Sequence, residues 1–184
     1  MFLETGRLRL RPFEQADFGD FYGYVQDKEL CRQIGWNRIV DEASAREVFD
    51  GMVQRREYAI VLKSTGRVIG NFAANEPHPG IKRDERLQGL RGASISFAVS
   101  AQHQKKGYLS EAMGLMLQLL FDVIGLDYVN GGHFDFNTAS AAVHRKFGFR
   151  YFSTHSFTPK GGETVTVIEH ILYRDQFSGT DARG

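Results

Sequence analysis

"ASISFAVSAQHQKKGYLSEAM", residues 93–113, decides how the fold is read. Residues 93–100 have the pattern of a strand. From Gly107 onward, Leu109, Ala112, Met113, Met116, Leu119, Leu120 and Val123 fall on one broad helical stripe. A strand therefore runs through a turn into a helix, and the mouth of that helix holds Lys105, Lys106 and the bare backbone of Gly107. The first helical turn has unsatisfied N–H groups and a partial positive charge. A phosphate could sit against the amides of residues 105–110, with a hydroxyl from Ser110 and a diffuse field from the lysines. The same residues also read as a plain strand-to-helix turn with solvated lysines.

Working outward, "RLRLRPF" alternates Leu8 and Leu10 against Arg7, Arg9 and Arg11, the period of a half-buried strand. Phe18, Phe21, Tyr22 and Val25 predict a first helix over about 14–27, followed by a turn at Gly35 and Trp36. Ser44 and Glu47 match a capping box for a second helix with Val48, Met52 and Val53 on its apolar face. "YAIVLKSTGRVIGNFAA" reads as a hairpin, and residues 76–92 as a long loop rich in Gly, Pro and charge. "DYVNGGHF" is a strand with two glycines, a sign of close approach by a neighbour. "NTASAAVHRKF" is a short helix capped by Asn137, and two strands follow around a Lys-Gly-Gly turn. The expectation is an α/β (α+β) fold: a mixed, mostly antiparallel seven-stranded sheet flanked by about four helices. One domain is expected over 1–184, with a short disordered tail at about 178–184.

A net charge of +1 argues against bulk nucleic-acid binding. The stretch "LMLQLLFDVIGL" is broken by Gln118 and Asp122 and is too short to span a bilayer. The N-terminus lacks an apolar signal core, and the lone Cys31 cannot form an internal disulfide. The reading is a cytoplasmic protein, monomer or homodimer, without nucleic-acid or membrane partners. The six histidines show no metal-binding spacing, so no metal is expected.

"NTASAAVHRKFGF" places Asn137, Ser140 and His144 on one short helix that ends at Gly148, with Ser140 and His144 on a shared face. With "QKKGYLSEA" it resembles the GNAT superfamily of N-acetyltransferases, and most the ribosomal-protein N-terminal acetyltransferase (RimJ/RimL-like) branch. The resemblance covers nearly the whole chain, including the opening "LETGRLRLRPF". Gln104 and Gly107 match the acyl-CoA loop Gln/Arg-x-x-Gly-x-Gly/Ala, with Leu109 at the last position. Asn137, Ser140 and the Lys-x-Gly-Phe run match the second motif.

The resemblance implies acetyl-CoA as co-substrate, bound where the fourth and fifth strands splay apart. The backbone of Phe97, Ala98 and Val99 would pair with the pantetheine arm. Residues Gln104, Lys105, Lys106, Gly107, Tyr108, Leu109 and Ser110 would hold the pyrophosphate. Asn137 and Ser140 would touch the pantetheine or thioester end, and Gly131 and Gly132 would keep the neighbouring strand clear of the acyl group. His144 stands where many relatives carry a tyrosine thought to protonate the leaving sulfur. It is either that donor, favoured by the helix C-terminus, or a surface histidine. Glu76 and Asp135 are the nearest candidates for a base, and each also reads as an ordinary loop residue. Trp36 and Arg38 would border the acceptor, and Trp36 reads equally as a core anchor.

An α-amine has a pKa near 8, so about a tenth is neutral at pH 7, against under a thousandth for a lysine. A weak base therefore points to a protein or peptide α-amine. The alternatives are a small-molecule amine acceptor and a non-catalytic acyl-CoA-binding domain.

Overall fold

The computed structural model describes residues 3–36, 39–159 and 162–179. In chain order they form β1 (Leu3–Glu4), β2 (Leu8–Pro12), α1 (Phe18–Val25), α2 (Lys28–Ile34), α3 (Glu42–Gln54), β3 (Tyr58–Leu62), β4 (Arg67–Asn75) and α4 (Pro79–Lys82). There follow β5 (Gly92–Val99), α5 (Tyr108–Gln118), β6 (Tyr128–Phe134), α6 (Thr138–Lys146), β7 (Arg150–Phe157) and β8 (Val165–Tyr173). The sheet order is β1-β2-β3-β4-β5-β6-β8-β7, and every pairing is antiparallel except β5 with β6.

The eight strands and six helices exceed the expected seven and four for local reasons. β1 is a two-residue pairing at the sheet edge. α2 occupies what reads as a turn: Asp27 accepts from the amides of Glu29 and Leu30, and Gly35 stops the helix. α4 is one turn inside the long loop. α3 begins three residues earlier than expected, because the reciprocal capping pair is Asp41 with Ser44 rather than Ser44 with Glu47. α5 runs into a π-helical turn at Leu119–Val123. The extra residue rotates the stripe, so Val123 points to solvent, 68% exposed, although its spacing predicts the core. Of the tail expected at about 178–184, residues 180–184 lie outside the described residues.

Helices cover both faces of the sheet. On one face, α1, α2 and α3 pack Phe18, Phe21, Val48, Phe49 and Met52 against Ala59, Val61, Val68 and Ala98. Phe49 is the centre of that cluster, with Phe13, Phe18 and Phe21 at 5.5, 5.4 and 5.3 Å. On the other face, α5 presses Ala112, Met113 and Met116 onto a surface that includes Leu8, Leu10, Ile60, Ile95 and Val129. Each buried large side chain there contributes about 1.5–3 kcal/mol. Residues 76–92 are pinned rather than loose: Ile81 and Leu87 pack with Tyr128, Phe152 and Ile171.

β5 pairs with β6 only from Gly92↔Tyr128 to Ile95↔Gly131. Beyond that rung, β5 stays with β4 as far as Val99, and β6 stays with β8 as far as Phe134. The two strands part while each remains anchored on its outer side. The splay expected between the strands at 93–100 and 127–134 is therefore present.

Candidate active site

The parted strands open a cleft of about 540 Å³. One side is built by Phe97, Ala98 and Val99 of β5 and by the start of α5; the other draws on β6, α6, β7 and β8. The cleft gathers Phe97, Ala98, Val99, Gln104, Lys105, Gly107, Tyr108, Leu109, Ser110, Asn137 and Ser140. Of the residues expected to meet a cofactor, Lys106 alone is not on its lining.

Two successive departures into left-handed backbone shape the mouth of α5: Lys105 at φ +59° and Gly107 at φ +82°. Gly107 occupies the N-cap position, and no side chain caps the helix. The amides of Tyr108, Leu109 and Ser110 thus have no acceptor within the helix. An anion fits such a set of donors, and the partial positive charge of the helix end adds to it. Arg7 braces the loop from outside. Its Nη1 donates to the Lys106 carbonyl at 3.0 Å, and its Nη2 lies 2.6 Å from Glu111 Oε2. The Gln104 side chain is committed through Nε2, which donates to the Val99 carbonyl at 3.0 Å, and its amide donates to the Ala101 carbonyl at 3.2 Å.

Asn137 is also committed. Its Oδ1 accepts from the Ser140 amide at 3.0 Å, capping α6, and its Nδ2 donates to the Gln33 carbonyl at 3.1 Å, tying α6 to the end of α2. Its contribution to the cleft is to place two helices, with Ser140 set beside it.

His144 is fully buried and is not on the cleft lining. Burial above all, then His170 and His133, push its pKa down to about 3. The helix C-terminus does not hold it charged, because no water reaches the ring to solvate a cation. Gly131 makes room for this imidazole: a Cβ there would lie 2.5 Å from His144 Nε2. Gly132 likewise makes room for Glu169, whose Oε1 would stand 2.9 Å from a Cβ. The two glycines thus accommodate protein side chains on opposite faces of β6, rather than clearing space for an acyl group.

Glu76 is 85% exposed and pairs with Lys82 at 3.0 Å, away from the cleft. Asp135 is exposed at the end of β6 and is not on the lining. Trp36 packs in the α1–α3 cluster, 5.8 Å from Phe21, and does not border the cleft. Arg38 lies outside the described residues.

A carboxylate that the motifs do not point to does reach the cleft. Glu169 on β8 is 4% exposed and lies on the lining with His155 and Phe157. Asn130 Nδ2 donates to its Oε2 at 3.1 Å, and Ser94 Oγ donates to Asn130 Oδ1 at 2.7 Å. His78 Nε2 donates to Glu169 Oε1 at 3.2 Å. The amide of Gly80 donates to His78 Nδ1, which leaves the ring proton on Nε2. The His155 ring lies 5.3 Å from that of His78. A sequence signal exists: Glu169 interrupts the run of Val165, Val167 and Ile171 on one face of a strand, where a charge needs a partner or a task.

Residues 7–150 match the family described as acetyltransferase (GNAT) domain. The chain is 22% identical over 179 residues to the uncharacterised N-acetyltransferase YoaA of Bacillus subtilis, covering 91% of this chain and 96% of that one. It superposes on a GNAT-family acetyltransferase from Bacillus anthracis with a TM-score of 0.81 at 20% identity, over 95% of this chain and 99% of that one. It also superposes on the ribosomal L7/L12 α-N-protein acetyltransferase RimL in complex with coenzyme A, with a TM-score of 0.76 at 16% identity, over 96% and 99% of the two chains. Among the described residues no helix is long and apolar enough to cross a membrane.

Proposed function

The chain belongs to the GNAT acetyltransferase family, and from that premise we propose that it acetylates the α-amine of a protein or peptide, with Glu169 as the proton acceptor. The observation that carries this reading is a buried carboxylate, held by two donors, on the lining of a cleft whose mouth is an uncapped helix N-terminus.

Enzymes of this family use acetyl-CoA, which supplies an activated thioester carbonyl when bound. The amides of Tyr108, Leu109 and Ser110, opened by Gly107, hold the diphosphate. The backbone along Phe97, Ala98 and Val99, past the last rung shared with β6, holds the extended arm, the Val99 carbonyl being already taken by Gln104. Asn137 keeps α6 and α2 in place, so that Ser140 faces the cleft. An incoming ammonium is drawn to Glu169, which accepts its proton directly or through one water. The Asn130 and His78 donors keep that carboxylate aimed at the cleft. The neutral amine would form the N–C bond as the thioester C–S bond breaks, and its remaining extra proton would pass to the departing thiolate, which needs little help because a thiol has a pKa of about 8.5. His144, kept neutral and off the cleft lining, donates no proton in this scheme, and Glu76 and Asp135 take no part. The likeness to RimL, an α-N-protein acetyltransferase, supports the choice of acceptor.

The test is steady-state release of CoA against three acceptors: peptides with a free N-terminus, N-blocked peptides containing lysine, and a polyamine. The expected order puts free α-amines first. Glu169→Gln lowers kcat by about a hundredfold or more with KM for acetyl-CoA unchanged. Faster turnover of the polyamine assigns a small-molecule acceptor. Acetyl-CoA binding without turnover on any amine means a binding domain.

A further inference from the structure

Of the six histidines, five gather into two groups. Glu169 and His170 are consecutive on β8 and so point to opposite faces of the sheet. His78, His155 and Glu169 form one group, with His155 and Glu169 on the cleft lining; His133, which also reaches that lining, gathers with His144 and His170 in the other. We propose that His133, His144 and His170 form a binding site for one late first-row transition-metal ion, zinc being its probe, clamped between β6, α6 and β8.

Four ring nitrogens of this group are buried without a hydrogen-bond partner: His133 Nε2, both nitrogens of His144, and His170 Nδ1. His144 is 0% exposed and His133 is 7% exposed. Buried polar atoms left unpaired are costly, and here they are concentrated at one point. His133 is already set as a ligand. Its Nδ1 donates to the Phe134 carbonyl at 2.9 Å, so the lone pair is on Nε2. A second group holding the far nitrogen is the usual support of a metal-bound imidazole.

The spacing also fits. One nitrogen from each ring lies within 4.8 Å of the other two. The ring centres are 5.1, 5.5 and 5.7 Å apart, and the planes are inclined by at most 26°. An ion about 2.0 Å from one nitrogen of each of three spread rings would hold the ring centres roughly 5.5 Å apart. Binding turns the rings inward, since three nitrogens around one ion sit about 3.3 Å apart. Three imidazoles with no carboxylate select zinc, copper or nickel over magnesium or calcium. His170 is only partly buried and gives a way in. The ion would fasten the helix that carries Asn137 and Ser140 to the central sheet. This site stands independently of the acceptor reading.

The full chain, stripped with EDTA and dialysed, is titrated with zinc by calorimetry and with cobalt by visible absorption. One equivalent of each is expected to bind, with no response to magnesium. His170→Gln and His133→Gln, each first shown to melt cooperatively in EDTA, should weaken zinc binding roughly tenfold or more and remove the cobalt band. His155→Gln, in the opposite group, should bind both metals as the native protein does. The proposal is overturned if the native chain gives neither heat nor band. It is overturned equally if the signals survive in whichever of the two variants folds, or vanish in His155→Gln.

Discussion

Gly107 is held at φ +82° with open space before it, the only near neighbour of a Cβ being Arg7 Nη2 at 3.3 Å. A β-branched residue there is strained by about 1–2 kcal/mol and overhangs the free amides of α5. Gly107→Val should raise KM for acetyl-CoA roughly tenfold while leaving kcat within a small factor, measured by steady-state kinetics. This residue is legible in the sequence through the match of Gln104 and Gly107 to the acyl-CoA loop pattern, whereas alone it reads equally as a plain strand-to-helix turn. Glu169 is not legible in the same way. Its importance comes from Asn130 and His78, which are 39 and 91 residues away, and no local pattern records that meeting. His144 shows the opposite failure: its motif position is plain, but its burial depends on Gly131 and on two other histidines across the sheet.

α6 illustrates what an element's sequence does and does not reveal. Its start at Asn137 and its stop at Gly148 follow from punctuation alone, whereas the bond from Asn137 to Gln33 requires α2, which local reading takes for a turn. Asn137→Ala should cost about 0.5–2 kcal/mol in denaturant unfolding and should also loosen α2, seen as faster hydrogen exchange over Lys28–Ile34. The C-terminal half of α6 sets a pH limit. His144 titrates at about 3 in the folded chain against about 6.5 when unfolded, so the unfolded chain takes up the proton first. Its contribution is intact above pH 6.5 and is lost progressively as pH falls toward 3, up to about 4–5 kcal/mol. Urea unfolding in EDTA between pH 7 and 4 should show that decline, and His144→Leu should flatten it.

The whole molecule is organised around the strand pair that separates. The mostly antiparallel sheet and the helical layers on both faces follow from the order of elements and the splay from the family resemblance, while the mismatches are a two-residue edge strand, short helices, a shifted cap and a π turn. The far side of the cleft was harder to foresee because it is assembled from β6, α6, β7 and β8, and its carboxylate Glu169 is held by His78 of the pinned segment 76–92. Since the parted halves of β5 and β6 share no hydrogen bonds, a molecule lying between them should stabilise the fold as a whole. Acetyl-CoA at about a hundred times its Kd should add roughly 2.7 kcal/mol, raising Tm by about 5–10 °C in a thermal melt. The brace from Arg7 to the Lys106 carbonyl spans 99 residues of chain. Closing so long a loop costs about 4 kcal/mol of entropy beyond a constant, and such distant pairings form slowly. A ribosome must therefore release most of the polypeptide before the mouth of α5 can take shape, and that loop should be among the last parts to settle during refolding.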